Sequence, residues 1–144
     1  MRRKLKERKG SISLVYFGMV FLLLMMTFLI IEMGSTLENY SYAESVLQWA
    51  CNSAVEKNII DAYRADHILR MDTTGAARDF RSYAANDLPS KYQFTIQSIN
   101  CSADPPAMEV TGTIRFDTVF SQYGFGSITH SVKVVSTNYA LDGR

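Results

Sequence analysis

An unbroken run of apolar residues lies near the start of the chain. Residues 11–31 (SISLVYFGMVFLLLMMTFLII) contain no charged side chain, and a helix of this length reaches about 31 Å, close to the hydrocarbon thickness of a bilayer. A long helix of a soluble protein would normally carry a polar stripe, which this run lacks. We call it the apolar segment, and its pattern predicts a transmembrane helix over residues 11–32.

Beyond the apolar segment the pattern becomes that of an amphipathic helix. From Thr36 the apolar residues recur every three or four positions, with polar and charged residues between them. We expect this helix to cover about residues 36–70 and to need a partner for its apolar stripe. The stripe consists of Leu37, Tyr40, Ala43, Leu47, Ala50, Cys51, Ala54, Val55, Ile59, Ala62 and Tyr63.

The rest of the chain predicts one short helix and three strands. Capping residues at Asp72–Gly75 precede a helical spacing over about 74–88, which ends before Pro89. The period then becomes two, with a change of phase between Ile96 and Ile99. The predicted strands cover about 92–101, 107–118 and 127–139.

These elements predict an α+β fold. Three consecutive strands with short connections form an antiparallel sheet that is apolar on one face. The sheet and the amphipathic helix each bury their apolar side if they pack together. We therefore expect a long N-terminal helix, membrane-spanning in its first half, packed on a small antiparallel sheet of three to four strands. The 144 residues suffice for one such domain but not for two independent cores.

The charge distribution predicts how the chain is oriented. Residues 1–10 contain six basic residues and one acidic residue, and basic residues beside a membrane helix stay in the cytoplasm. We expect residues 33–144 to lie outside it, in a single-pass protein of the inner (cytoplasmic) membrane. The basic segment is better explained by topology than by nucleic-acid binding, so the lipid bilayer is an expected partner and nucleic acid is not.

The apolar segment is expected to be retained rather than removed. A secretory signal has a shorter apolar core followed by small residues at its cleavage site. Here Glu32-Met33-Gly34 follows the run. Glu32 marks the membrane–water boundary on one interpretation. On the other it contacts a neighbouring subunit, because acidic groups near membrane depth require partners.

Few residues carry reactive chemistry. Cys51 on the helix stripe and Cys101 on the first strand are candidates for a disulfide outside the cytoplasm, and the alternative is two buried thiols. His67 and His130 lack ligand spacing, so we expect no metal and no cofactor. His130 is expected to be a satisfied or edge-lying residue. No catalytic motif is present, and we expect no enzymatic activity.

A second loop, Gln122 to Gly126, is rich in aromatic and glycine residues. We expect Tyr123 and Phe125 to belong to a packed turn. Exposed aromatic side chains there would instead favour a site for a partner.

The order of these features resembles that of the type IV pilin-like proteins, and in particular of the TadE/TadG-like branch of the Tad (tight adherence) pilus system. The resemblance lies in Lys9-Gly10-Ser11, the apolar segment, Glu32-Met33-Gly34, the stretch LQWACNSAV at residues 47–55, and the closing strands MEVTGTIRFDTVF and SITHSVKVVSTNY. It implies a pilin-like fold and partners among other pilin-like subunits and the pilus or secretion machinery. It also implies a candidate processing site for prepilin peptidase at Gly10 and Ser11.

One position departs from the pilin pattern. Pilins that prepilin peptidase processes usually carry Glu five residues after the cleaved Gly, and Val15 stands there in this chain. The resemblance therefore implies a minor or accessory subunit rather than a major polymerising pilin. We expect a non-enzymatic structural or accessory component of a Tad-type pilus or related secretion apparatus. The alternative is a bitopic, membrane-anchored binding or adhesion module of an unrelated cell-envelope complex.

Overall fold

The computed structural model describes residues 3–60 and 69–138, the side chains from residue 13 onwards. The expected α+β class is confirmed. The chain divides into two compact units, Met1–Thr36 and Leu37–Arg144. The elements are helix α1 (Arg3–Lys57), helix α2 (Thr73–Asp87) and strands β1 (Tyr92–Ala103), β2 (Pro106–Asp117) and β3 (Ser127–Thr137), with a 3-10 turn at Ser121–Tyr123.

The first unit contains the apolar part of α1. This helix is long and apolar enough to span a membrane. From Ser13 to Ile31 none of its side chains is buried. Thr27, a polar residue within the run, donates its hydroxyl proton to the Leu23 carbonyl oxygen over 2.9 Å. The helix thus satisfies this hydroxyl itself, which an apolar environment requires.

The second unit is built on a three-stranded antiparallel sheet in the order β1-β2-β3. A β-bulge between Ile96 and Ser98 shifts the register of β1, which confirms the change of phase in the sequence pattern. Gly112 lies opposite Ile96 on the central strand, and a Cβ atom there would collide with the Phe94 ring and the Thr95 carbonyl oxygen. One face of the sheet is buried through Met108, Val110, Ile114, Phe116, Val132 and Val134.

The C-terminal part of α1 packs on this sheet with small and branched side chains. Tyr40 donates its hydroxyl proton to the Ser131 carbonyl oxygen (3.4 Å), and Gln48 donates through its amide to the Val135 carbonyl oxygen (2.8 Å). Both acceptors belong to β3, an edge strand, so α1 partly satisfies an edge that would otherwise be open to pairing. The fully buried residues of this part of α1 are Ala43, Leu47, Ala50, Cys51, Ala54 and Val55.

Helix α2 begins at a cap and ends against β1. The Asp72 carboxylate accepts a hydrogen bond from the Thr74 amide over 3.0 Å, which confirms the capping signal. Gly75 has no room for a Cβ atom, because the side chains of Asn58 and Asp72 occupy that position. Further along, Phe80 is fully buried with its ring edge against Phe94.

The predicted extent of the amphipathic helix is wrong, because α1 ends at Lys57 rather than near residue 70. The backbone then pairs with a distant segment: the Ile60 amide donates to the Arg70 carbonyl oxygen (2.8 Å), and the Asp72 amide donates to the Asn58 carbonyl oxygen (2.9 Å). Ile59 is half-buried in this bridge instead of lying on a helix stripe. Ala62, Tyr63 and His67 lie outside the described residues.

The stripe also starts later than predicted. Leu37 is 66% exposed, whereas Tyr40 is half-buried and Ala43 is fully buried. Leu37 lies at the beginning of the second unit, before the part of α1 that the sheet covers. A helical period shows which side of a helix is apolar, but it does not show how far along the helix its partner extends.

Candidate functional site

Cys51 and Cys101 come together where α1 meets the sheet. The Cys51 thiol donates to the Met108 carbonyl oxygen, with 3.7 Å between sulfur and oxygen. Cys101 lies opposite Met108 in the register of β1 and β2. Both residues are free thiols in the structure. Cys51 and Cys101 therefore both lie beside the backbone of Met108. The disulfide between them stays a prediction.

Burial decides the acid–base chemistry of these thiols. Desolvation raises the pKa of Cys51 to about 12, with a further increase from the neighbouring Cys101 and a partial decrease from a backbone hydrogen bond at Ser136. Desolvation also raises the pKa of Cys101. Because the thiolate is the nucleophile and the metal ligand, both groups are poor at either role near neutral pH.

Glu32 lies in the first unit, at the end of the apolar segment. Its two carboxylate oxygens are shielded from solvent and accept no hydrogen bond from any residue that the structure describes. Shielding a carboxylate from water is costly unless it has a partner. This arrangement favours a contact from outside the described residues, and the predicted subunit contact stays a prediction.

The candidate processing site lies within helical backbone. Gly10 and Ser11 belong to α1, and the Ser11 side chain lies outside the described part of the chain. Cleavage after Gly10 therefore stays a prediction.

His130 sits between aromatic rings on β3. Its ring stacks on Phe116 with centroids 6.1 Å apart and meets the edge of Tyr40 at 5.4 Å. The residue is half-buried on an edge strand, as expected, but its Nε2 atom is shielded and has no hydrogen-bond partner among the described residues. Within residues 3–60 and 69–138, no cluster of three His, Cys, Asp or Glu residues could hold a metal ion.

An electrostatic cluster joins the end of α1 to α2. Lys57 forms an ion pair with Asp79 (3.0 Å), and Asn58 donates to the same carboxylate (3.1 Å). The hydrogen bond from Lys57 lowers the pKa of Asp79, with smaller help from Asn58. Lys57 also lies 5.5 Å from the centre of the Tyr83 ring. These contacts join the two helices, which indicates a structural role.

The expectation of a packed turn at Tyr123 and Phe125 is wrong. Tyr123 is 71% exposed and Phe125 is 52% exposed. Both rings lie near Phe120, with centroids 6.3 Å and 6.4 Å from it. Gly124 has a φ of 95°, in the left-handed region that favours glycine, and it ends the 3-10 turn.

Helix α1 also presents aromatic residues that the sequence pattern did not single out. Trp49 and Tyr42 are exposed on the side away from the buried stripe. Trp49 lies 6.0 Å from the Tyr83 ring, and Tyr42 stacks on Tyr92 at 5.9 Å. These two contacts link α1 to α2 and β1, so the pair contributes to packing although one side of each ring faces solvent.

No protein-family model, curated protein or solved structure matches the chain. The residues and their geometry are therefore the basis for any inference about function.

Proposed function

We propose that this protein is a non-enzymatic structural or accessory subunit, comparable to a minor pilin or pseudopilin, of a Tad-type pilus or a related secretion apparatus. One helix would anchor it in the inner membrane, with residues 1–10 in the cytoplasm and residues 33–144 outside. The observation that carries the proposal is the change in α1 along its length. Residues 13–31 present apolar side chains to the outside on every side, whereas the part from Ala43 to Val55 buries one stripe against a sheet.

The proposed orientation is supported by the charges at one end of the apolar segment. The cytoplasmic assignment of residues 1–10 is supported by their six basic residues. A single acidic residue, Glu32, stands at the other end. Acidic residues contribute little to topology, so the basic segment alone supports the direction of insertion.

Assembly with other membrane helices is supported by Glu32. Its shielded carboxylate has no donor among the described residues, and a basic or hydroxyl group on a neighbouring helix would provide one. A pilin-like bundle would also cover the exposed apolar side chains of residues 13–31, as would lipid.

A structural role for the outer domain is supported by what its polar groups do. Asp79 and Lys57 join two helices, and Tyr40 and Gln48 satisfy an edge strand. The raised pKa of Cys51 disfavours a nucleophilic role for that thiol. The contacts of these groups hold the elements of the outer domain together.

Deletion of the gene in the source organism tests the proposal. We expect surface filaments, or secretion through the related apparatus, to be lost and to return when the wild-type gene is supplied. A complementing Glu32→Gln variant should insert in the membrane but assemble poorly, because the amide lacks the charge that the partner would recognise. Glu38→Gln is the matched control, since Glu38 is an exposed carboxylate on the same helix.

The same experiment distinguishes the alternative, a bitopic binding module of an unrelated envelope complex. The exposed aromatic residues Tyr123 and Phe125 favour that alternative. Normal filaments and normal secretion in the deletion strain would contradict the pilus proposal and leave the binding module. Equal behaviour of Glu32→Gln and Glu38→Gln would contradict the subunit contact at Glu32.

A further inference from the structure

Residues 118–126 connect β2 to β3, and we call this connection the aromatic loop. It contains no charged residue, and it exposes Val119, Tyr123 and Phe125. Exposed apolar groups that cluster in this way mark an interaction surface more often than isolated ones do.

The position of the aromatic loop within the second unit indicates what it contacts. The aromatic loop begins shortly after Phe116 in the chain. The Phe116 ring stacks on the His130 ring, which also contacts the Tyr40 ring. Tyr92, opposite Phe116 in the sheet, donates its hydroxyl proton to the Asn39 side chain over 2.8 Å. The aromatic loop therefore extends from the end of the sheet that lies beside the first residues of the unit.

That end is also where the chain continues into the apolar segment. The second unit begins at Leu37, which follows Glu32 closely in the sequence, and Leu37 is itself exposed. The opposite end of the sheet carries the turn between Ala103 and Pro106. If the apolar segment spans a bilayer, the chain leaves its headgroup region close to Leu37, so this end of the second unit is tethered to that boundary.

We propose that the aromatic loop docks on the bilayer that the apolar segment spans, with Tyr123 and Phe125 at the boundary between headgroups and acyl chains. Aromatic side chains are enriched at this depth, because an apolar ring and a polar group suit the two sides of the boundary. The proposal depends on the anchoring part of the proposed function and not on the pilus role. Because the loop is tethered beside the membrane, a weak intrinsic affinity suffices to keep it there.

The charges around the base of the aromatic loop indicate which lipids it needs. Lys91 and Arg115 lie at this end of the domain, as do Glu38, Asp87 and Asp117, and all five are exposed. Positive charge is not in excess here, so anionic lipid is not attracted. Docking would therefore depend on the aromatic rings, and it should occur on zwitterionic lipid and be insensitive to ionic strength.

Fluorescence quenching by brominated lipid tests this docking in the full-length protein. The chain has one tryptophan, so Trp49→Phe provides a background into which a single reporter is placed. Tyr123→Trp reports on the aromatic loop, Phe21→Trp on the apolar segment, and Val135→Trp on the far end of β3, where Val135 is 45% exposed. Each variant is reconstituted in phosphatidylcholine vesicles with and without bromine on the acyl chains.

We expect strong quenching at position 21, clear quenching at position 123 and none at position 135, with the same values at low and high salt. Phe125→Trp is a second loop reporter, in case Tyr123→Trp perturbs the turn. Quenching at position 21 without quenching at positions 123 and 125 would overturn the docking while leaving the anchor intact. A loop reporter that is shielded from aqueous quencher but not reached by brominated lipid would also overturn it, because a protein surface would then cover the loop.

Absence of quenching at position 21 would instead contradict the membrane anchor, and the docking with it. Quenching at position 123 that disappears at high salt would overturn the role of the aromatic rings, since screening weakens only charged contacts.

Discussion

The two units of this chain share one helix, but they use it in different ways. Within Met1–Thr36, α1 is apolar on all sides from Ser13 to Ile31, and none of these side chains is buried. In Leu37–Arg144 the same helix buries one stripe, from Ala43 to Val55. Both parts have the same backbone conformation, so they differ only in how apolar residues are distributed around the helix. That distribution therefore indicates the environment of each part.

Two leucines of α1 show the difference at single positions. Leu47 is fully buried against the sheet, whereas Leu37 is 66% exposed. They belong to the same predicted stripe, so sequence spacing does not distinguish them. What distinguishes them is the extent of the sheet, which depends on contacts far away in the sequence.

The largest expected effect is that of Leu47→Asp, which should unfold the second unit. The substitution places a charge between helix and sheet, where no water or cation can compensate it. The penalty of several kcal/mol is comparable with the total stability of a domain, about 5–15 kcal/mol. Limited proteolysis of the membrane-inserted protein checks this prediction. The second unit of Leu47→Asp should be degraded much faster than that of the wild-type protein.

Leu37→Asp is the matched control, with the same change on the same helix at an exposed position. Its effect on the free energy of unfolding should stay within about 0.5 kcal/mol, as is usual for surface sites. Equal protease resistance of Leu47→Asp and the wild-type protein would contradict the packing of α1 on the sheet.

The next effect concerns Cys51 and Cys101. If they are bonded outside the cytoplasm, the disulfide closes a loop of roughly 50 residues and contributes about 4 kcal/mol in the chain-entropy model. Cys51→Ala should then destabilise the domain by a few kcal/mol. Thiol labelling of the denatured, unreduced protein checks the bond: we expect no label before reduction, and two labelled cysteines would contradict it.

The reduced form should show a characteristic pH dependence. Burial raises the pKa of folded Cys51 from 9.0 to about 12, so between these values the unfolded chain loses a proton that the folded domain keeps. The stability contribution is therefore complete below about pH 9 and is lost as the pH rises towards 12. Denaturant titrations should show the largest loss in the reduced protein, a smaller one in Cys51→Ala, where only Cys101 has a raised pKa, and the smallest in the oxidised protein; a loss of equal size in all three would assign it to other groups.

The smallest effects are expected at His130 and Asp117. His130→Ala removes ring contacts with Phe116 and Tyr40, each worth about 0.5–1.5 kcal/mol, while Asp117→Asn changes an exposed side chain. Both variants should fold and co-purify with the assembly like the wild-type protein. Loss of function by folded His130→Ala would contradict a purely structural role and indicate a chemical site at that residue.

Local patterns predicted much of the fold for physical reasons. Alternation identified the three strands, and the change of phase after Ile96 predicted the bulge, because side-chain direction in a strand alternates residue by residue. The cap at Asp72 is also predictable from the sequence, because a cap is a contact between residues within one helical turn.

What the patterns missed depends on contacts between distant segments. The helical period continues through Ile59, yet α1 ends at Lys57 because the following backbone pairs with Arg70 and Asp72. The exposure of Tyr123 could not be predicted either, because aromatic residues beside glycines occur both in packed turns and in projecting loops. Periodicity alone predicts that the two cysteines lie on facing elements. Whether they form a disulfide depends on their redox environment.

The topology of the chain tests the central claim most directly, namely that the apolar segment crosses the membrane and the second unit lies outside the cytoplasm. Two reporters are fused in turn after Arg144, one active only outside the cytoplasm and the other active only inside. The six basic residues of the N-terminal segment predict signal from the external reporter alone. Signal from the cytoplasmic reporter alone would contradict the orientation and, with it, the placement of the outer domain.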